Sequence, residues 1–256
     1  MKRVCLDAGH FGLYNRSPVN PAYYESVRMW VLHEKLARAL AKRGVEVLLT
    51  RADQKTDLGL ETRGKKAKGY DLFLSLHSNA ASAESVDYTL AYVPLNGSGT
   101  EIGQLLADCV ADVMQTRQAG RTAIRAGSGG ADYYGVIRGA VSVGVPAVIL
   151  EHSFHTNKRA TEWLLQEENL DKLAEAEADV IARWLGLEEQ EGEDLTYEEF
   201  KRYMQKYEAE KNAAHATWEK GVMAEAKSAG LMDGTRPKAN ITRGEVAQVL
   251  KNAGLM

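Results

Sequence analysis

The chain has 256 residues, of which 45% are hydrophobic and 26% charged, and its net charge is −3. These values suit a soluble globular protein with one medium and one smaller domain, and they give no electrostatic reason to expect nucleic acid as a partner. No apolar run approaches the roughly 18 residues of a membrane span, and MKR leads straight into a strand-like segment, so we expect cytoplasmic synthesis without a signal peptide.

The first element is a strand over residues 2–7; VCLDAGHFG then delivers His10 onto a glycine-rich bend. Met29, Leu32, Leu36 and Leu40 recur at helical spacing, with Gly44 as the stop. Strands follow at 45–49, at 71–76 (DLFLSLHSNA, breaking off at His77) and at 87–93. A helix is predicted over 100–117, capped by Thr100, then a strand over 146–150 that runs into Glu151. The last helix of this region spans 169–185, opening at Asn169 and closing at Gly186. Strands alternating with helices predict an α/β domain over 1–187, a mostly parallel twisted sheet flanked by helices. Cys5 and Cys109 lie in unrelated contexts and make neither a disulfide framework nor a CxxC metal site.

The acidic, apolar-poor GLEEQEGED (186–194) reads as a linker, assigned to 188–195. Residues 196–256 show no strand pattern and predict a small all-helical module. Thr196 with Glu199, and Thr242 with Glu245, have capping-box spacing.

In a parallel α/β sheet the strand ends gather at one rim, where ligands bind. His10, His77 and Glu151 are expected there. Glu25, in PAYYESV, joins them from a first helical turn, whereas Glu34 lies roughly 13 Å further along. Two imidazoles and a carboxylate form a familiar zinc set with one position open to water, and a second, non-ligating carboxylate can carry the proton. Asp7 is a candidate to orient His10. Each residue also has an ordinary explanation. A strand-end histidine is often simply hydrogen-bonded, and Glu25 suits the helix dipole without any ligand.

Together, DAGHFG (7–12), Glu25, VEVLLTRADQKTDLGLETR (45–63), DLFLSLHSNA (71–80) and VPAVILEHSFHTN (145–157) resemble the zinc-dependent N-acetylmuramoyl-L-alanine amidases of bacterial wall remodelling and phage endolysins. The resemblance covers about residues 1–187. It implies His10, Glu25 and His77 as ligands of Zn²⁺, Glu151 as the catalytic acid/base, and peptidoglycan as substrate. Departures from the family pattern are Phe11 and Ser153 where it has glycine, Ser78 where it has alanine, and His155 and Thr156 where it has leucine and serine. His152 and His155 flank the expected site and are secondary metal candidates.

Residues 226–250 resemble one S-layer homology repeat, with a turn at Met232-Asp233-Gly234 and TRxE at Thr242–Glu245. This implies binding of secondary wall polymers; the alternative is a helical appendage that makes a homodimer. The expectation for the whole chain is an endolysin made in the host cytoplasm that acts on the wall after release. The rival readings are another zinc peptidoglycan hydrolase that cuts the stem peptide, and a non-catalytic wall-binding protein.

Overall fold

The computed structural model describes residues 1–187, 201, 224–230 and 250–251, and the chain divides into two units, Met1–Glu189 and Gln190–Met256. The expected capping boxes and the turn at Met232-Asp233-Gly234 lie outside the described residues.

The first unit runs β1 (Arg3–Ala8), α1 (Glu25–Lys42), β2 (Glu46–Leu49), α2 (Leu60–Lys65), β3 (Leu72–Asn79), β4 (Leu90–Tyr92), α3 (Thr100–Met114), β5 (Arg121–Ala123), α4 (Gly135–Val141), β6 (Ala147–Phe154), α5 (Lys158–Leu164) and α6 (Glu167–Trp184). Six strands pair in the order β2-β1-β3-β6-β4-β5. All neighbours are parallel except β4 and β6. This is the expected α/β architecture with its mostly parallel sheet. Among the described residues no helix is long and apolar enough to cross a membrane.

Alternation along the strands feeds two cores. Val4, Leu6, Leu72, Leu74, Leu76, Val148 and Leu150 pack under α1, α3 and α6. Cys5, Phe73, Ala147 and Ile149 face the other way, against Ala67 and the α4 residues Val136, Ile137 and Ala140. The first side is roofed by helices of 18, 15 and 18 residues. The second has only α2 and α4, with 6 and 7 residues. Those two cross backbone to backbone: a Cβ on Gly64 would lie 2.1 Å from the Val136 carbonyl oxygen, and one on Gly139 2.2 Å from that of Glu61. Beyond these short helices a cavity of about 480 Å³ opens on this side of the sheet, lined in part by Ile149, His77 and Glu151.

Several expected boundaries move. The strand over 87–93 contracts to β4. The helix expected to reach 117 ends at Met114, where Gln115 turns left-handed with φ 51°. Thr100 does not cap it. Gly99 occupies the cap position, and the Thr100 hydroxyl donates to the Gly97 carbonyl oxygen. Likewise Asn169 lies inside α6, with Gln166 at the cap, and its amide donates to the Trp163 carbonyl oxygen. Gly44 and Gly186 do follow their helices in left-handed conformation, with φ 75° and 71°.

Candidate metal centre and active site

Strand β3 runs past its expected end, so His77 lies within it, in register with Glu151 of β6. Both belong to the sparsely roofed side of the sheet and line the cavity. β1 stops at Ala8; the Gly9 N–H still donates to the Leu76 carbonyl oxygen at 2.9 Å. The chain then turns at His10, whose φ of 60° is left-handed. That bend sets the His10 ring 5.1 Å from the His77 ring and stacks it on Tyr14 at 4.9 Å. The approach requires glycine at position 9: a Cβ there would lie 2.4 Å from Cε1 of His77.

Glu25 opens α1 and is buried, with 1% exposure. Its Oε1 lies 2.9 Å from His77 Nδ1 and accepts the Ser78 N–H at 3.1 Å. Its Oε2 lies 3.3 Å from His10 Nε2 and accepts from the Asn15 amide at 2.6 Å. One ligand atom from each of His10, Glu25 and His77 lies within 4.8 Å of the other two. Burial by itself would raise the Glu25 carboxyl, but hydrogen bonds and charge from His10 and His77 outweigh it and hold the group well below the usual carboxylate range. Two imidazoles and a carboxylate so gathered are a donor set suited to a first-row divalent cation.

Glu151 has the opposite character. Burial first, and then repulsion from Glu25, push its carboxyl well above the ordinary range, although His152 and His10 pull the other way. Its Oε2 is buried and has no hydrogen-bond partner. Leaving a buried carboxyl oxygen unpaired costs stability, so the fold gains nothing from this arrangement by itself.

The pairing of β3 with β6 slips after His77 and Glu151, resuming at Asn79 and Phe154. The extra β6 residue makes a bulge. Ser153 takes φ 58° within it, a left-handed backbone that glycine adopts more readily. Its hydroxyl donates to Asp87 at 2.8 Å, and Arg159 pairs with the same carboxylate at 2.7 Å. His152 turns away from the cavity: Nδ1 lies 3.0 Å from the His77 carbonyl oxygen and Nε2 lies 2.8 Å from Glu177, which is fully buried. Burial disfavours charge on His152, but Glu177 outweighs it and raises the imidazole pKa. His155 does line the cavity, with Nδ1 2.8 Å from the Ser78 carbonyl oxygen and 3.8 Å from Glu25.

Asp7 does not orient His10. Strand alternation turns it onto the cavity floor, where it accepts hydrogen bonds from Thr50 and Ser75 and lies 3.7 Å from Arg63. Sequence reasoning also missed Asn15 and the Ser78 N–H as partners of Glu25. Asparagine's tolerance of left-handed backbone was the one available hint for Asn15, whose φ is 50°.

A parallel-rich α/β sheet with a His₂Glu donor set beside a free carboxyl has the donor chemistry of catalytic metal centres. The chain belongs to the N-acetylmuramoyl-L-alanine amidase family, whose sequence pattern it matches over residues 4–183. It is similar to an endolysin of Bacillus phage SPP1, with 28% identity over 195 residues, covering 75% of this chain and 69% of that protein. It also resembles the catalytic domain of the amidase CwlV from Bacillus (Paenibacillus) polymyxa var. colistinus. There the identity is 25% and the TM-score 0.63, covering 73% of this chain and all (100%) of that one. The CwlD amidase of Clostridioides difficile, solved in complex with the GerS lipoprotein, shares the fold with a TM-score of 0.63 at 19% identity, covering 73% of this chain and 100% of its own.

Proposed function

We propose that this chain is a zinc-dependent amidase that hydrolyses the bond between N-acetylmuramic acid and L-alanine in peptidoglycan, with His10, Glu25 and His77 holding the ion and Glu151 moving the proton. The observation that carries this reading is the gathering of those three donors beside a buried carboxyl oxygen that has no partner. Bound there, Zn²⁺ supplies Lewis acidity to the amide carbonyl and to the attacking water. Glu25 stays ionised and fixed by the Ser78 N–H and the Asn15 amide. Glu151 accepts the proton of the attacking water and passes it to the departing alanine nitrogen. Its raised affinity for protons suits the transfer.

Glu151→Gln is expected to keep the fold and the zinc content while hydrolysis falls by about 10²–10⁴-fold, the usual share of a general base. Mass spectrometry of wall digests checks the bond: a free lactyl carboxylate and a free L-alanine amine are expected. Fragments cut inside the stem peptide would instead mean a peptidase.

The similarity to a phage endolysin supports a role in host lysis, with synthesis in the host cytoplasm and action on the wall after release. We assign catalysis to residues 1–187 and wall targeting to residues 196–256, joined by the acidic linker 188–195. Pelleting of a 187–256 fragment with purified walls tests the targeting role, and dimerisation of that fragment without pelleting would refute it.

A further inference from the structure

A second feature of the donor cluster goes beyond the three residues. Asn15 lines the same cavity. Its backbone is held in place, because its carbonyl oxygen accepts the Glu25 N–H at 3.1 Å. Its φ of 50° is left-handed. From this anchored position its amide nitrogen reaches 2.6 Å from Glu25 Oε2 and 3.1 Å from His10 Nε2. These separations are of the same order as those among the proposed ligands, 2.9 Å for His77 to Glu25 and 3.3 Å for His10 to Glu25. The end of the Asn15 side chain thus touches two of the three donor residues.

We propose that the Asn15 carboxamide is a fourth protein ligand of the cation held by His10, Glu25 and His77. The proposal rests on the metal site argued above. The amide has a donor end and an acceptor end that exchange places by rotation of the terminal group. With nitrogen inward, Asn15 satisfies Glu25 and His10 when no ion separates them. With oxygen inward, it presents a neutral oxygen donor to a cation, of the kind first-row ions accept beside imidazole and carboxylate. A neutral amide oxygen is the weakest donor of the four. It is therefore the one to yield when water and substrate need room, returning to its hydrogen bond with Glu25.

The test is Zn²⁺ affinity of the full chain, measured by competition with a chromophoric chelator and independent of activity. Asn15→Gly deletes the carboxamide and tolerates the left-handed backbone; Asn15→Asp keeps an oxygen donor but cannot donate to Glu25. We expect Asn15→Gly to loosen Zn²⁺ by tenfold or more, and Asn15→Asp to bind more tightly than Asn15→Gly. If Asn15→Gly binds as tightly as the parent or more so, the side chain is only a placeholder. If Asn15→Asp is no better than Asn15→Gly, the amide serves only as a donor to Glu25. Either result overturns the proposal. His77→Ala separates the two levels: Zn²⁺ binding undiminished in that variant would refute the metal site itself, not the role of Asn15 within it.

Discussion

A single methyl group separates a workable His77 from a displaced one. The ring lies against the backbone at Gly9, where a Cβ would approach Cε1, Nδ1 and Nε2 to between 2.4 and 2.7 Å. Gly9→Ala must therefore move the His77 imidazole or the chain that carries His10, and either motion disturbs the donor set around Glu25. We expect Gly9→Ala to remain folded by circular dichroism while Zn²⁺ affinity falls by about 10–100-fold, the range seen when ligand orientation is lost. Unchanged affinity would show that the ring can relax without cost. At this scale the sequence was informative wherever a residue terminated a pattern: His10, His77 and Glu151 each interrupt an apolar run, and Glu25 opens a helix. Asn15 interrupts nothing. It sits in an aperiodic loop, and only the fold back onto the start of α1 reveals its partners.

Among the elements, β6 is the least ordinary. All eight of its residues are buried; strand alternation sends Glu151 to the cavity and His152 to the opposite side, and the bulge follows them. The sequence named His152 and His155 as metal candidates because both flank Glu151; His155 lines the cavity, whereas His152 faces away from it. His152 instead ties β6 to α6 through Glu177, with neither side chain exposed to solvent. Removing one partner of such a pair leaves a buried charge, a loss of about 3–5 kcal/mol. His152→Ala should show that loss in urea unfolding, and joint replacement of His152 and Glu177 by leucine should cost much less. Equal losses in the single and double variants would mean that the pair's charge is not what matters. The short elements α2, α4, α5 and β5 escaped sequence reading for a simpler reason: three to seven residues hold too little of a helical or strand period to register.

Across the whole first unit, the chain closes on itself by pairing its earliest helix with its latest. Arg28, Lys35 and Arg43 of the α1 region meet Glu167, Asp171 and Asp179 of α6. Burial would raise the Glu167 carboxyl, but Arg28 and Lys35 outweigh it and lower its pKa from 4.5. Arg43 above all does the same for Glu175. Acids bound less tightly to protons when folded stabilise the fold above their unfolded value, and that contribution disappears as pH falls through the lowered folded value. Each pair is partly exposed and worth only about 0.2–1 kcal/mol. The thermal midpoint should therefore drop modestly as pH falls below about 4.5, and Glu167→Gln should flatten that drop. A pH response identical to the parent's would exclude the seam as its source. The alternation of strands and helices made the sheet legible in advance, but the seam was not, because its partners are separated by more than a hundred positions.

The unequal roofing of the sheet has a practical consequence. The donor atoms are mounted on the turn after β1, on β3 and at the start of α1, while Leu60 and Arg63 of α2 and Gly135 and Val136 of α4 line the same cavity and contribute none. Part of the cavity wall and the donor atoms therefore belong to different stretches of chain. Substitutions at Leu60 or Val136 would reshape the wall of the cavity without touching a donor atom, so the fit of wall fragments can be tuned apart from the chemistry that cuts them.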